Sequence, residues 1–297
     1  MKPKLSFSDL YDRLFDKGVT FPNHNREDVV DIFKTRSYYY KLSSYRKNFP
    51  KSNDGKYSNL SFDALLVSAS IDTYLREFLL DMCLDVEHAA KTQLMSLITE
   101  NPCEDGYSIV EEFKTAHPQK YDEIINRFER SSYKKDMFSK RAHISVWVFL
   151  EIIDFGTLIM LSDLYFNKYP HQRTGYTKQF KFIKNVRNTC AHNNVFLINL
   201  FDKSLRLKRP DAPSSTFAQN MNIKKSIIHY RKFLDTVNLF YVHSRMCSRE
   251  LKNRRFHEGK VILDKYNCNL SLYQDSSAIP KFFAFLKTCI DFLVREC

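Results

Sequence analysis

The residues with most chemistry to offer lie in one short stretch, Val186-Arg187-Asn188-Thr189-Cys190-Ala191-His192-Asn193-Asn194. Asn188 and His192 stand four positions apart, so on a helix their side chains share a face. Arg187 is offset by one position, but its long guanidinium can swing over the same face. The stretch combines an imidazole able to move a proton near neutral pH, an amide able to orient a hydroxyl or phosphate, and a fixed cation forked to grip phosphate. Cleavage of RNA needs little more. A base takes the proton of the ribose 2′-hydroxyl, the oxygen attacks the adjacent phosphorus, and a cation stabilises the charged transition state. The nucleophile belongs to the substrate, so the reaction calls for no metal and no cofactor, and DNA is spared. Spacing alone is a weak signal: a surface Arg pair and a His capping a helix end explain it as well.

Composition narrows the fold that must carry these residues. Hydrophobic residues make up 43% and charged residues 27% of 297 positions, an ordinary globular balance. Only six are glycine, too few for many hairpin turns or phosphate-cradling loops. Helices joined by short polar links are expected, and neither G-x-G-x-x-G nor G-x-x-x-x-G-K occurs. The seven cysteines are scattered without C-x-x-C, which suits reduced thiols in a cytoplasmic protein. Cys190-x-His192 alone is no zinc site. No apolar run approaches the ~20 residues of a membrane-spanning helix. Met1 to Leu10 has two lysines with no apolar stretch after them, so no signal peptide is expected.

The net charge is +12, and it is unevenly placed. Lys and Arg outnumber Asp and Glu strongly between Asp202 and Lys265, a segment that also carries Phe217, Tyr230, Phe233, Phe240, Tyr241, Phe256 and Tyr266. Basic residues interleaved with aromatics suit a phosphate backbone and stacked bases. A solvated basic face on helices whose aromatics are core fits the same composition.

The periodicity predicts helices over 7–16, with Phe7, Leu10, Leu14 and Phe15 on one face and Gly18 as the stop, and over 26–35, capped by Asn25 with Val29, Val30 and Phe33 inward. Tyr38 to Arg46 reads as an aromatic hinge and Pro50 to Ser61 as a loop. A long helix follows from about Phe62 to Ile98, with Asp72/Arg76 and Glu87/Lys91 spaced as surface pairs or as a polar cluster near a site. Residues 101–117 read as an irregular or short helical excursion. Further helices are expected over 121–130, through Val146 to Ile153 with a break near Phe155-Gly156, and over 157–166. The charged Lys134, Lys135, Lys140 and Arg141 precede the second of these. A polar link through Pro170 and Gly175 leads to a helix from about Lys178 into Arg187 and His192. Beyond Leu200, a strand at 204–208, a loop at 210–215, a long helix over 223–251, a second strand within 261–272 and a final helix over 281–294 are expected.

The string RNTCAH resembles the R-N-x-C-A-H signature of HEPN ribonucleases in the abortive-infection Abi family (AbiD/AbiF-like). YYYKLSSY, Tyr38 to Tyr45, is similar to the family's Y-Y-R-L-x-x-Y block. Asp72-Thr73-Tyr74-Leu75-Arg76 followed by Glu87 resembles its D-x-x-L-R…E helix, and Trp147-x-x-x-Glu151-x-x-x-Phe155-Gly156-Thr157 its W-x-x-x-E-x-x-x-F-G block. Four ordered blocks over about residues 7–200 are far more specific than one Arg/His pair. Family members often continue with a second His and an Arg-Leu pair, where this chain has Asn193 and Val195-Phe196.

The resemblance implies an all-α, HEPN-like helical bundle. Around it the sequence suggests an N-terminal helical segment (1–60), a motif-bearing domain (61–200) and a basic C-terminal region (201–297) with a small β-hairpin. It implies a homodimer whose Arg/His motifs share a composite cleft, with Arg187 and His192 catalytic, Asn188 supporting them and Glu87 near the cleft. Cys190 and Ala191 are expected as small packing residues, and Trp147, Glu151 and Asp72 as mainly structural. The expected function is that of a metal-independent endoribonuclease toxin in anti-phage defence, restrained by an antitoxin or a regulatory RNA. The alternatives are a non-catalytic RNA-binding protein on the same scaffold, and a helical interaction protein with an acidic partner.

Overall fold

The computed structural model describes residues 4–134, 143–173 and 176–295. Lys135, Lys140, Arg141 and Gly175 lie outside the described residues. The fold is all-α. Helix α1 (Phe7–Asp16) opens with a capping box between Ser6 and Asp9. Gly18, at φ 83°, turns the chain out of it. Leu14 faces the core, but Phe7 and Phe15 are exposed, so the expected apolar face is narrower than its sequence. Asn25 caps α2 (Arg26–Thr35), which buries Val29, Ile32 and Phe33 while Val30 is half-buried.

The Tyr38–Arg46 block forms the short helix α3 (Tyr39–Ser44) and a 3-10 turn (Tyr45–Asn48). Tyr45 is fully buried, whereas Tyr38 and Tyr40 stand exposed. Among the described residues the sheet has two strands, β1 (Val19–Thr20) running parallel to β2 (Leu60–Ser61). Ser61 then caps α4 (Phe62–Glu100), which at 1.5 Å per residue runs about 58 Å. Its buried positions include both 71/72 and 75/76, then 78/79 and 82/83. That widened stripe lets α4 meet several helices at once.

After α5 (Ser108–Ala116) and α6 (Pro118–Glu129) come α7 (Val146–Ile152) and α8 (Phe155–Lys168). The break expected near Phe155-Gly156 falls at Ile153–Asp154, where Asp154 caps α8. Helix α9 (Phe180–Ala191) lies against α4 and α11 (Arg231–Met246). Residues Phe233 to His243 are buried without interruption, so α11 is enclosed on all sides. Helices α12 (Arg249–Asn267) and α13 (Ala278–Arg295) complete the bundle, α12 packing on both α4 and α13.

Three expectations beyond Leu200 are corrected. No β-hairpin forms: Lys203–Leu205 is a 3-10 turn, and Val261 lies inside α12. Buried Gly259, Ile262, Leu263 and Tyr266 keep a helical period there, and the segment continues α12. Leu207 instead exchanges hydrogen bonds with His229, its N–H donating to the His229 carbonyl at 2.8 Å. The expected 210–215 loop contains the start of α10 (Ala212–Asn220), capped by Asp211 with proline in its first turn. The long 223–251 helix is divided, because Cys247 is extended and Ser248 caps a new helix.

Gly18 tests the N-terminal packing. A Cβ there would come within 2.4 Å of the Tyr57 carbonyl oxygen, and its φ is left-handed. Gly18→Ala is expected to lower the urea midpoint by an amount equivalent to about 1–3 kcal/mol, with an unchanged denaturant slope. An unchanged midpoint would show that this turn relaxes freely.

Candidate active site

Helix α9 carries the motif on the outside of the bundle. Phe180, Phe182, Ile183, Val186 and Cys190 face inward, a spacing of three to four that leaves Lys184, Arg187 and Asn188 on the outer side. The Cys83 thiol on α4 lies 3.7 Å from the Ile183 carbonyl oxygen and fastens the two helices. Burial pushes the Cys190 thiol up to about 12, so within the motif it acts as packing and not as a nucleophile.

The helix ends at His192, which is its C-terminal cap. Asn193 adopts φ 56°. Its N–H donates to the Cys190 carbonyl at 3.0 Å, and that of Asn194 to Thr189 at 3.0 Å. This is a Schellman termination with Asn in the left-handed position.

A buried network holds the chain beyond this turn. The Asp72 carboxylate, wholly buried, accepts from Tyr45 Oη at 2.9 Å, Arg76 Nε at 3.0 Å, and the backbone N–H groups of Phe196 at 3.0 Å and Leu197 at 2.7 Å. Burial, then the Asp72 charge, pushes the Tyr45 phenol far up, so it remains a donor. The Asn193 amide oxygen accepts from Arg76 and from Lys41 Nζ, the latter at 2.9 Å. Asn48 Nδ2 donates to the Leu197 carbonyl, and Lys232 Nζ to those of Phe196 and Ile198, each at 2.6 Å. Burial pulls the Lys232 ammonium down to about 8. The Tyr38–Tyr45 and Asp72–Arg76 blocks thus meet the segment that follows the motif.

Arg187 and Asn188 line a cleft of about 350 Å³ with Lys120, Lys184, Asp154 and Thr157. Asp154 is occupied as the α8 cap, accepting from Thr157 N at 2.8 Å and Oγ1 at 2.9 Å. Burial opposes its ionisation, but the Thr157 bonds and the charges of Lys120 and Arg127 outweigh that and hold the carboxyl below its ordinary value. Three cations thus surround one committed carboxylate, and although Lys120 also pairs with Glu123 at 3.0 Å, the balance at the cleft remains positive, a setting for an anion. Arg187 Nη1 lies 3.3 Å from Asn188 Oδ1, while its Nε is buried with no partner. A buried unpaired N–H is costly unless a ligand supplies the acceptor.

His192 does not line this cleft; it is exposed at the helix end. The structure therefore brings together Arg187 and Asn188 but leaves His192 outside their cavity. Glu87, also outside it, pairs with Lys91 at 3.3 Å and keeps Oε2 buried without a partner. Lys91 Nζ in turn donates to the Ile153 carbonyl at 3.2 Å, beside the Asp154 cap. Sequence reasoning missed Lys120, Lys184 and Asp154. Asp154 had a legible signal, an N-cap residue three before Thr157; the two lysines had none beyond charge. Among the described residues no group of three or more His, Cys, Asp or Glu side chains is placed to hold a metal ion.

Behind the motif, Asp235 of α11 is buried and accepts from Asn185 Nδ2 at 3.3 Å, with Oδ1 unpartnered. Burial pushes its carboxyl up to about 7. Because the folded value lies above the ordinary 3.8, its contribution to stability is present in full near pH 4 and is lost as pH rises through 7. Asp235→Asn, which imitates the protonated form, should be the more stable protein at pH 8, with the advantage vanishing toward pH 4. Urea midpoints at pH 4, 6 and 8 check this; a gap independent of pH contradicts it. For the Asp72 network, Asp72→Ala leaves four donors unsatisfied and should cost about 3–5 kcal/mol, against about 1–2 kcal/mol for Tyr45→Phe. Thermal melts rank the two, and equal losses would disprove the central role of the carboxylate.

A protein-family model described as "Abi-like protein" matches residues 33–198. The matched stretch runs from the end of α2 to the turn after α9, and it contains Tyr45, Asp72, Arg76, the cationic cleft and the whole Arg187–His192 motif. No curated protein and no solved structure matches the chain. With more than half of its length covered, including the helix that carries the motif and the residues that line the cleft, the chain belongs to the family of Abi-like proteins.

Proposed function

We propose that this chain is a HEPN-type, metal-independent endoribonuclease toxin of abortive infection. The observation that carries the reading is the Arg187 guanidinium, with an unpaired buried Nε, lining a cationic cleft with Asn188 on the helix that ends at an exposed His192. Membership of the Abi-like family supports the anti-phage role.

The chemistry follows from these groups. The His192 imidazole takes the proton of a ribose 2′-hydroxyl, and the freed oxygen attacks the adjacent phosphorus. The P–O5′ bond breaks, the leaving oxygen takes up a proton, and the products end in a 2′,3′-cyclic phosphate and a 5′-hydroxyl. Arg187 stabilises the charge on the non-bridging oxygens, and its planar fork suits two of them at once. Asn188 orients the phosphate.

His192 lies outside the cleft of its own Arg187. This favours a homodimer in which one protomer's His192 works on a phosphate held by the partner. Such a dimer is isologous, and each motif serves once in each role. The toxin acts in the cytoplasm, with an antitoxin or a regulatory RNA restraining it in uninfected cells. No described helix is long and apolar enough to cross a membrane.

Growth and total RNA are followed in a bacterial host expressing wild type, Arg187→Ala or His192→Ala. Wild type is expected to arrest growth and produce fragments ending in 2′,3′-cyclic phosphate. Each substitution should reduce cleavage at least about 100-fold. Co-expressing the two variants should restore part of the activity, because a mixed dimer assembles one intact site. Binding of the same RNA by all three proteins with no cleavage by any would identify a non-catalytic RNA-binding protein. Cleavage that survives both substitutions would remove the motif from the mechanism.

A further inference from the structure

A second cavity lies beyond the family-matched residues, between the segment after the motif, the turn before α11, and α13. It has a volume of about 680 Å³, within the range of small-molecule and cofactor sites. Phe201, Tyr230 and Phe285 supply aromatic faces, and Arg206, Lys224 and Lys281 supply charge; no carboxylate lines it. Phe201 and Tyr230 meet edge to face, with centroids 5.1 Å apart and planes at 78°. Phe201 rests in turn on the buried Phe233, at 4.9 Å. The cavity thus has a right-angled aromatic corner braced from behind.

The cations sit at the rim of that corner. Arg206 lies 5.9 Å from the Tyr230 ring centre and Lys281 6.0 Å from that of Phe201. Arg206, Lys224 and Lys281 are all exposed. Stacking surface inside and charge at the mouth match the two parts of a nucleotide, its base and its phosphate. An acidic peptide would use the cations but leave the aromatic corner unfilled.

We infer that this cavity is a nucleotide-binding pocket for single-stranded RNA, in which a base stacks in the Phe201–Tyr230 corner and its phosphates meet Arg206, Lys224 and Lys281. The ligand class rests on the RNA reading above, but the pocket does not depend on catalysis. Its place along the chain fits a shared strand. Phe201 follows His192 by nine residues, which even fully extended span about 30 Å, and Lys232 pins the carbonyls of Phe196 and Ile198 between them. An RNA strand cut at the motif would be held a few nucleotides away at a fixed distance.

The test uses the full-length His192→Ala protein and a labelled 12-nucleotide RNA of mixed sequence containing 4-thiouridine. Fluorescence anisotropy gives the affinity and its salt dependence; photocrosslinking followed by peptide mass spectrometry gives the place. Crosslinks are expected on peptides containing Phe201 or Tyr230. Adding Arg206→Glu and Lys281→Glu, both at exposed positions, should weaken binding at least about tenfold and make the salt dependence less steep by about 0.7 per lost phosphate contact. Unchanged affinity with crosslinks elsewhere would overturn the pocket and leave the nuclease reading standing. Absence of any RNA binding would overturn the pocket, while cyclic-phosphate fragments from wild type would then still speak for the nuclease.

Discussion

The architecture around the motif depends on one buried carboxylate. A charge as enclosed as that of Asp72 is tolerable only when its oxygens are fully engaged, and four donors engage them. Two come from side chains, Tyr45 on the 3-10 turn and Arg76 one turn along the same helix. The other two are backbone N–H groups four and five residues past His192. A backbone donor cannot be exchanged for another side chain, so the carboxylate fixes the path of the chain itself. Once Phe196 and Leu197 are held, the turn at Asn193 and the end of α9 have one place to be. The position of His192 is a consequence of bonds made by its neighbours.

The back of the motif helix is organised around α11. That helix is enclosed on all sides, yet Asp235, Thr236, Asn238 and His243 are among its buried residues. Most of them are provided for. Thr236 Oγ1 donates to the Lys232 carbonyl, Asn238 exchanges bonds with Ser214, and His243 Nε2 lies 3.0 Å from Asp85 on α4. Arg255 of α12 reaches both oxygens of the same Asp85. Polar groups in a low-dielectric interior demand specific partners, so these contacts fix how α11 and α12 sit on α4 more sharply than apolar packing does. His243 keeps Nδ1 buried without a partner, and Asp235 faces the motif helix with Oδ1 unpaired; burial raises the Asp235 pKa, which its one bond from Asn185 offsets only in part.

How much of this was legible depended on sequence distance. Ser6, Asn25, Ser61 and Asp154 cap helices through partners three residues away, and such local rules locate the elements well. The motif helix and its outward face were equally readable. The Asp72–Arg76 network was not: Asp72 was expected to be structural, but the pair's spacing is equally that of a surface ion pair, and three of its partners, Asn193, Phe196 and Leu197, lie more than a hundred residues downstream. The basic 202–265 segment divides in the same way. Phe217, Phe233, Phe240, Tyr241 and Tyr266 are buried in the core, whereas Tyr230 reaches a cavity. Phe201, the ring that completes the corner with Tyr230, stands outside that segment. The strand expected at 261–272 shows the opposite failure, in which a local signal, the helical period of Gly259, Ile262, Leu263 and Tyr266, was present and was not read.

The cationic cleft has a further property that bears on how it would work. Lys120, Lys184 and Arg187 are gathered around a carboxylate already committed to capping α8, and of the three Lys120 has a separate counter-charge in Glu123 at 3.0 Å. Holding like charges together lowers stability, and the unpaired Arg187 Nε adds to the cost. The rigid contacts behind the cleft offset it: the Asp72 network on one side of α9, and α4 and α11 beneath it. A phosphate entering such a site finds donors already oriented and breaks few existing bonds to reach them. Preorganised donors of this kind favour the arrangement with most negative charge, which in phosphodiester cleavage is the transition state. The stability given up at the cleft and the catalytic role proposed for Arg187 are two aspects of one electrostatic arrangement.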